Sequence, residues 1–186
     1  MSLTNRLSSV LVLLVAVSMI GCGFHLRGSG GDKSFAQRLY IEGPGAGSSF
    51  VGVFGSALTT AGGSLVTTPA DSTGIVYLYR ANFFRQAITL SRTGRATGFD
   101  LSYRIVYEVR SPKGEVLQPR KEFEVKRDYF NDQSLPLAQQ AEEVQINEQL
   151  SKEAAQSLLR RVANELKKYN DNVLEPKQLT KPEVKS

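Results

Sequence analysis

The chain has 186 residues, with 23 Lys and Arg against 18 Asp and Glu, and a net charge of +5 at neutral pH. That is enough chain for one well-packed domain, and the basic excess is too modest for the concentrated cationic face that nucleic-acid binding demands. A single cysteine and a single histidine exclude an intramolecular disulfide, a zinc–thiolate site, and any Ser/His/Asp or Cys/His constellation in the body of the fold.

Met1-Ser2-Leu3-Thr4-Asn5-Arg6 is polar with one positive charge, and an apolar run from Leu7 to Ile20 follows it. A basic start, an apolar stretch and small residues at the cut describe a secretory signal peptide. The run falls short of the roughly 20 residues a bilayer-spanning helix needs, so a transmembrane anchor is the weaker reading. Met19-Ile20-Gly21-Cys22 resembles a bacterial lipobox, with Met19 where Leu is usual. The lipobox implies that residues 1–21 are cut away and that Cys22 carries an S-diacylglycerol and an N-palmitoyl group. Two or more acyl chains anchor a protein stably where one does not. The alternative is an ordinary signal peptide that leaves an incidental thiol. Gly23 stands where an Asp would favour inner-membrane retention, which points to the outer membrane.

Residues 22–36 are glycine-rich and read as a lipidated tether. Arg38-Leu39-Tyr40-Ile41-Glu42 alternates as a short strand, and the breaker cluster Gly43-Pro44-Gly45-Ala46-Gly47 ends it. Ser48 or Ser49 is placed to cap a helix. Phe50, Val53, Phe54, Ala57, Leu58 and Ala61 fall on one helical face, and Gly62-Gly63 supplies a stop. Gly52 and Gly55 weaken that helix by about 1 kcal/mol each relative to Ala. Leu65-Val66-Thr67 is a candidate short strand.

From Ile75 to Leu90 the chain is rich in β-formers, with a bend or bulge expected near Asn82. Residues 91–98 read as a loop. Phe99, Leu101, Tyr103, Ile105, Tyr107 and Val109 then alternate with more polar neighbours, the clearest period in the chain. Residues 111–115 form a turn, and a partner strand follows, with Phe123, Val125 and Tyr129 on one side. The three long segments predict an antiparallel meander. From about Ala138 to Tyr169 the pattern is helical, with Val144, Leu150, Ala154, Ala155, Leu158, Leu159, Val162, Leu166 and Tyr169 on one face and Asn147 and Ser151 interrupting it. Asn170-Asp171-Asn172 ends the helix, and residues 171–186 read as a disordered polar tail. The prediction is an α+β fold over residues 37–170, ordered β-α-β-β-β-α. It is a two-layer sandwich with two helices packed on one face of a mostly antiparallel four-stranded sheet.

Few residues invite catalysis. Gly28-Ser29-Gly30-Gly31 lacks both a preceding strand and a following Lys-Ser/Thr, so it is not a phosphate loop. Glu122 and Glu124 are spaced as a solvated strand face. The sequence points to no cofactor, no metal and no enzyme, and a periplasm-facing hydrolase is disfavoured. Arg92-Thr93-Gly94-Arg95 is different, because it sets two arginine forks at the end of long strands, and such forks match phosphate or carboxylate oxygens. Arg80, Arg85 and Arg104 would extend a basic edge from it. The plainer alternative is a pair of solvated loop arginines.

Cys22-Gly23-Phe24-His25-Leu26-Arg27-Gly28 resembles the start of the mature LPS-assembly lipoproteins of the LptE (formerly RlpB) family, which begin Cys-Gly-Phe/Trp-His-Leu-Arg. The likeness extends in pattern to the first helix, the meander with its Arg-x-Gly tip, Asp128-Tyr129-Phe130-Asn131-Asp132, and the C-terminal helix. It implies a lipid-anchored protein on the periplasmic side of the outer membrane. Such a protein plugs and assists assembly of the LptD-type β-barrel translocon and binds lipopolysaccharide on its way to the outer leaflet. By the same resemblance Arg92, with Arg95 beside it, carries lipopolysaccharide contact. The family's second basic position falls near Gln139, where this chain has no cation. Gly23, Phe24, His25, Leu26 and Arg27 carry the motif. A lipoprotein serving as scaffold or pilot for a different envelope machine is the competing function.

Overall fold

The computed structural model describes residues 37–130 and 136–174, the side chains of 136–138 and 174 excepted. In chain order these form β1 (Arg38–Glu42), α1 (Phe50–Thr60), β2 (Ser64–Leu65), a 3-10 turn (Pro69–Asp71), β3 (Gly74–Leu90), β4 (Ala96–Arg110), β5 (Val116–Phe130) and α2 (Pro136–Leu174). The sheet order is β2-β1-β3-β4-β5.

The fold is α+β, and the sheet corrects the expectation of four mostly antiparallel strands. It has five, and it is mixed. β1 runs parallel to both β2 and β3, while β3, β4 and β5 form the antiparallel meander. The parallel pairs follow from connectivity, since α1 carries the chain back to the starting edge before β2 begins. β2 is only two residues long, too short for alternation to reveal.

Inner and outer faces are fixed by β4. Its odd-numbered residues from Phe99 to Val109 all join one buried cluster with Phe50, Phe54 and Leu58 of α1 and Leu150, Ala154, Leu158, Val162 and Leu166 of α2. Phe50 stacks on Tyr103 with ring centroids 5.6 Å apart. Both helices therefore cover the same sheet face.

The end of α1 matches its sequence signal. Gly62 takes φ +91, with Gly62 N–H donating to the Thr59 carbonyl and Gly63 N–H to Leu58, the paired bonds of a Schellman stop. Its start differs from expectation. Ser49 sits at the cap position in helical conformation with no side-chain cap bond, and the Ser48 hydroxyl donates to Gly45. The turns of residues 43–49 enter the helix already coiled, so neither hydroxyl lies over the free N–H groups. Gly55 also has a packing reason, because a Cβ there would stand 2.9 Å from Leu65 Cδ1 of β2.

Bulges decide where the long strands turn their faces. In β3 the register slips between Leu78 and Arg80, which leaves Tyr79 as the extra residue, three positions before the expected Asn82. Val76 and Leu78 point inward before it, Ala81 and Phe83 after it. β5 starts earlier than its alternation suggests, because Pro119 and Arg120 fall in a second irregularity between the Val109–Gln118 and Tyr107–Lys121 pairs. Pro lacks a ladder donor and is tolerated in a bulged edge strand.

α2 extends beyond Asn170-Asp171-Asn172 to Leu174. Its buried face uses Ile146 in place of Val144, which is 54% exposed. The ladder Ile146, Leu150, Ala154, Leu158 and Val162 advances by four, and Val144 lies off that stripe. Residues 1–21, the tether 22–36 and the tail from 175 lie outside the described residues.

Candidate functional site

β3 and β4 rise together past the level where β1 stops. β1 pairs with β3 only as far as Glu42 opposite Tyr77, so the upper part of β3 has no strand on that side. The chain enters the domain at the foot of β1, beside Gly74, and the β3–β4 tip lies at the opposite end of the sheet.

Ser91 to Arg95 closes that tip. Ser91 N–H donates to the Arg95 carbonyl at 2.7 Å and Gly94 N–H to Ser91 at 3.0 Å. Gly94 takes φ +77, a left-handed conformation glycine adopts without strain. Ser91 Oγ accepts from Arg95 N–H at 3.1 Å and lies 2.9 Å from Thr93 Oγ1. The turn is held by its own backbone and two hydroxyls. Arg92 and Arg95 are left exposed, with no ion pair among the described residues.

Apolar side chains are also exposed at this end of the sheet. Ile88 is 51% exposed, Leu90 63% and Phe130 73%. Phe130 ends β5 opposite Gly98, at the tip end of the sheet. Isolated exposed apolar residues are ordinary, but three at the same end of the sheet as two unpaired guanidinium groups give that end both charge and hydrocarbon. The signal for Ile88 and Leu90 was present in the β-former run. What the alternation could not show is that a bulge at Ile88, between the Ala87–Phe99 and Thr89–Gly98 pairs, falls where neither helix covers the strand.

The expected basic edge does not continue from the tip. Arg85 lies over the Phe99 ring at 3.6 Å and pairs with Glu143 of α2 at 3.1 Å. Arg104 sits 4.8 Å from the Phe84 ring centroid and bridges Glu122 and Glu124 on β5. Its Nε stands 3.1 Å from Glu122 without a hydrogen-bonding angle. Both arginines are neutralised by acids on neighbouring elements. Arg80 is exposed but sits near the Tyr79 bulge, far down β3. Glu122 and Glu124 act as ion-pair partners on the outer face, in line with the solvated-face reading.

Gln139 lies in the first turn of α2, at the tip end. Its Nε2 is buried and has no hydrogen-bond partner among the described residues. Nearby, burial and then the negative charges of Glu142 and Glu143 push the Tyr129 phenol pKa up. The position therefore adds no positive charge to the site. Cys22, Gly23, Phe24, His25, Leu26 and Arg27 lie outside the described residues. Among the described residues no group of three or more His, Cys, Asp or Glu could hold a metal ion, and no helix is long and apolar enough to cross a membrane.

Comparison with known proteins follows the same outline. The family model for LptE, lipopolysaccharide-assembly, matches residues 36–162. The LPS-assembly lipoprotein LptE of Photorhabdus laumondii is 23% identical over 158 residues, 85% of this chain and 86% of that protein. Among solved structures, an uncharacterized lipoprotein B from Nitrosomonas europaea superposes with a TM-score of 0.62 at 26% identity, over 68% of this chain and 82% of that one. The rare lipoprotein B of Shewanella oneidensis shares the fold at 20% identity, TM-score 0.53, over 74% and 99% of the two chains. A minor lipoprotein of Acinetobacter baumannii shares it at 16% identity, TM-score 0.56, over 69% and 92%. The family match runs from the residues before β1 into α2 and takes in the whole meander with its arginine tip, and on that span this chain belongs to the LptE lipopolysaccharide-assembly family.

Proposed function

We propose that this LPS-assembly lipoprotein binds lipopolysaccharide through the β3–β4 tip while seated as a plug in an LptD-type β-barrel, whose assembly it assists. The observation that carries the reading is the tip itself, where Arg92 and Arg95 stand exposed and free of acids beside exposed Ile88, Leu90 and Phe130. Guanidinium forks pair with phosphate oxygens, and the adjacent apolar side chains suit acyl hydrocarbon, so one end of the domain matches both parts of a phosphorylated lipid. The role is binding and assembly, without catalysis or cofactor.

The outer sheet face supports the plug. Asp100, Arg104, Glu124 and Lys126 form a network of ion pairs there, a polar surface suited to the polar lumen of a large barrel. Cys22 is the acylated residue after removal of residues 1–21, and it holds the protein on the periplasmic side of the outer membrane. Residues 22–36 link it to the domain, which begins at 37 and runs through α2 to Leu174.

Affinity capture of the tagged full chain from solubilised outer membranes tests the plug. The expected result is stoichiometric recovery of the lipopolysaccharide-transport barrel. Recovery of a different envelope machine without that barrel would instead make the chain a scaffold or pilot. Cys22→Ser tests the anchor, and a mutant that still fractionates with outer membrane as a processed lipoprotein would remove it.

A further inference from the structure

A second concave feature lies midway down the inner face, away from the tip. α1 begins at Phe50, below the upper part of β3, and so leaves a gap between its first turn, the open edge of β3 at Ala81–Phe83, and α2. The resulting cleft has a volume of about 620 Å³ and is lined by Ser49, Phe50, Phe83, Tyr103, Asn147 and Glu148, among others. Asn147 is one of the two residues that interrupt the apolar stripe of α2, and the other, Ser151, lines the cleft as well.

Its polar groups are mostly neutral. Tyr103 is only 6% exposed, but its hydroxyl is not among the closed-off polar atoms and has no protein partner among the described residues, so it opens to the cleft. Burial pushes its phenol pKa up, so at neutral pH the hydroxyl remains protonated and able to donate. The Asn147 amide is likewise without a partner, and the Ser49 hydroxyl caps nothing. These groups are open to solvent, and a ligand that pairs them exchanges their water hydrogen bonds for its own, with a modest net gain for each. Glu148 is the one charged residue in the lining. A phosphate would find no cation here, and an acyl chain would meet more polar groups than apolar ones. Aromatic rings with a few convergent hydroxyl and amide groups suit a molecule with an apolar face and a rim of hydroxyls.

We infer that the cleft between α1, β3 and α2 is a saccharide site that takes a pyranose ring against Phe83, with its hydroxyls paired to Tyr103, Asn147 and Ser49. The inference stands apart from the tip, which handles charge and hydrocarbon. Its recognition is by neutral hydrogen bonds and ring contact, so it is insensitive to salt where the tip is not.

Chemical-shift titration of the isotope-labelled chain tests it, with two probes: an acyl-free, dephosphorylated lipopolysaccharide core oligosaccharide, and a β-1,4-linked N-acetylglucosamine oligomer. Shift changes should centre on Phe83, Tyr103 and Asn147 with either sugar, and the tighter of the two names the source. Tyr103→Phe keeps the ring and removes only the hydroxyl, and it should weaken binding roughly fivefold, the worth of one neutral hydrogen bond. Asn147→Ala, at a partly exposed helix position, should do the same. Arg92→Glu should leave sugar binding unchanged, which keeps a failure at the tip distinct from a failure here. Absence of shifts in the cleft at the highest soluble sugar concentration, shifts centred on another surface, or full affinity in both cleft variants would overturn the assignment.

Discussion

Strand β3 passes through two environments. From Gly74 to Tyr77 it lies between β1 and β4, and as far as Ala81 it stays beneath the helices, with Val76 and Leu78 almost wholly buried. From Arg85 to Leu90 every residue is exposed, although the composition remains that of a strand. The difference is one of cover. β1 ends opposite Tyr77, and α1 descends from Phe50, so above that level β3 has β4 on one side and nothing on the other. The same β-forming chain serves as core in its first half and as an exposed hairpin arm in its second.

Paired truncations on the two halves separate them most sharply. Leu78→Ala should cost about 2–5 kcal/mol, the usual range for a buried leucine replaced by alanine. Leu90→Ala should change stability by no more than about 0.5 kcal/mol, as for an exposed site. Urea unfolding of the two variants measures the contrast, and equal effects would mean that the hairpin arm is packed after all.

The foot of the same strand offers a second test. A Cβ at Gly74 would lie 2.5 Å from Leu166 Cδ2 of α2, a contact that must be relieved inside the core. Gly74→Ala should destabilise by about 1–3 kcal/mol through overpacking, and Leu166→Ala introduced with it should recover part of the loss. If Gly74→Ala proves neutral, α2 does not seat against the start of β3 as described.

Arg85 marks the boundary between the halves. Its ion pair with Glu143 is partly exposed, at 42% and 24% for the two side chains, and such pairs contribute about 0.2–1 kcal/mol. Its position over Phe99 adds about 0.5–1 kcal/mol. Arg85→Ala should therefore cost about 1 kcal/mol in thermal unfolding. A double-mutant cycle with Glu143→Ala should give a coupling that shrinks as salt is added, and a coupling of zero at low salt would leave Arg85 free to act with the tip.

Acid should affect the outer face more gently. Lys126, first by its hydrogen bond, and then Arg104 hold the Glu124 carboxyl below its ordinary pKa, against the opposing effect of burial. A carboxyl whose pKa is lowered on folding contributes stability above the usual carboxylate range and loses it as the pH falls through its folded value. Glu124→Gln should flatten that acid-side loss by lowering stability slightly at neutral pH while leaving it nearly unchanged in acid. Identical acid slopes in the two proteins would remove the pair from the account.

Much of this was legible from residue order. The alternation of β4 reports its buried inner face because one side of the strand meets the helices and the other does not. The glycine pair at Gly62 and Gly63 reads correctly as a helix stop because only glycine takes the conformation of Gly62 easily. The failures share a physical origin in pairing at a distance. The parallel strand β2 is held by Leu39 and Gln37 backbone groups and is too short to carry a period of its own. Arg85 and Arg104 looked like companions of Arg92 because spacing along a strand says nothing of an acid on the next element. The tip turn is legible because an Arg-x-Gly turn between long strands is a local feature. The exposed apolar side chains at that end are not, because exposure at Ile88 and Leu90 depends on where β1 ends and α1 begins.

The central claim is that Arg92 and Arg95 contact lipopolysaccharide without holding the fold. Its most direct test is the binding of lipopolysaccharide to the full chain and to Arg92→Glu/Arg95→Glu, measured by calorimetry at low and moderate salt beside thermal unfolding of both. The account predicts unchanged unfolding, affinity reduced roughly tenfold or more at low salt, and a wild-type affinity that falls as salt rises, since exposed charges are screened. Unchanged affinity in the variant at both salt concentrations would contradict it.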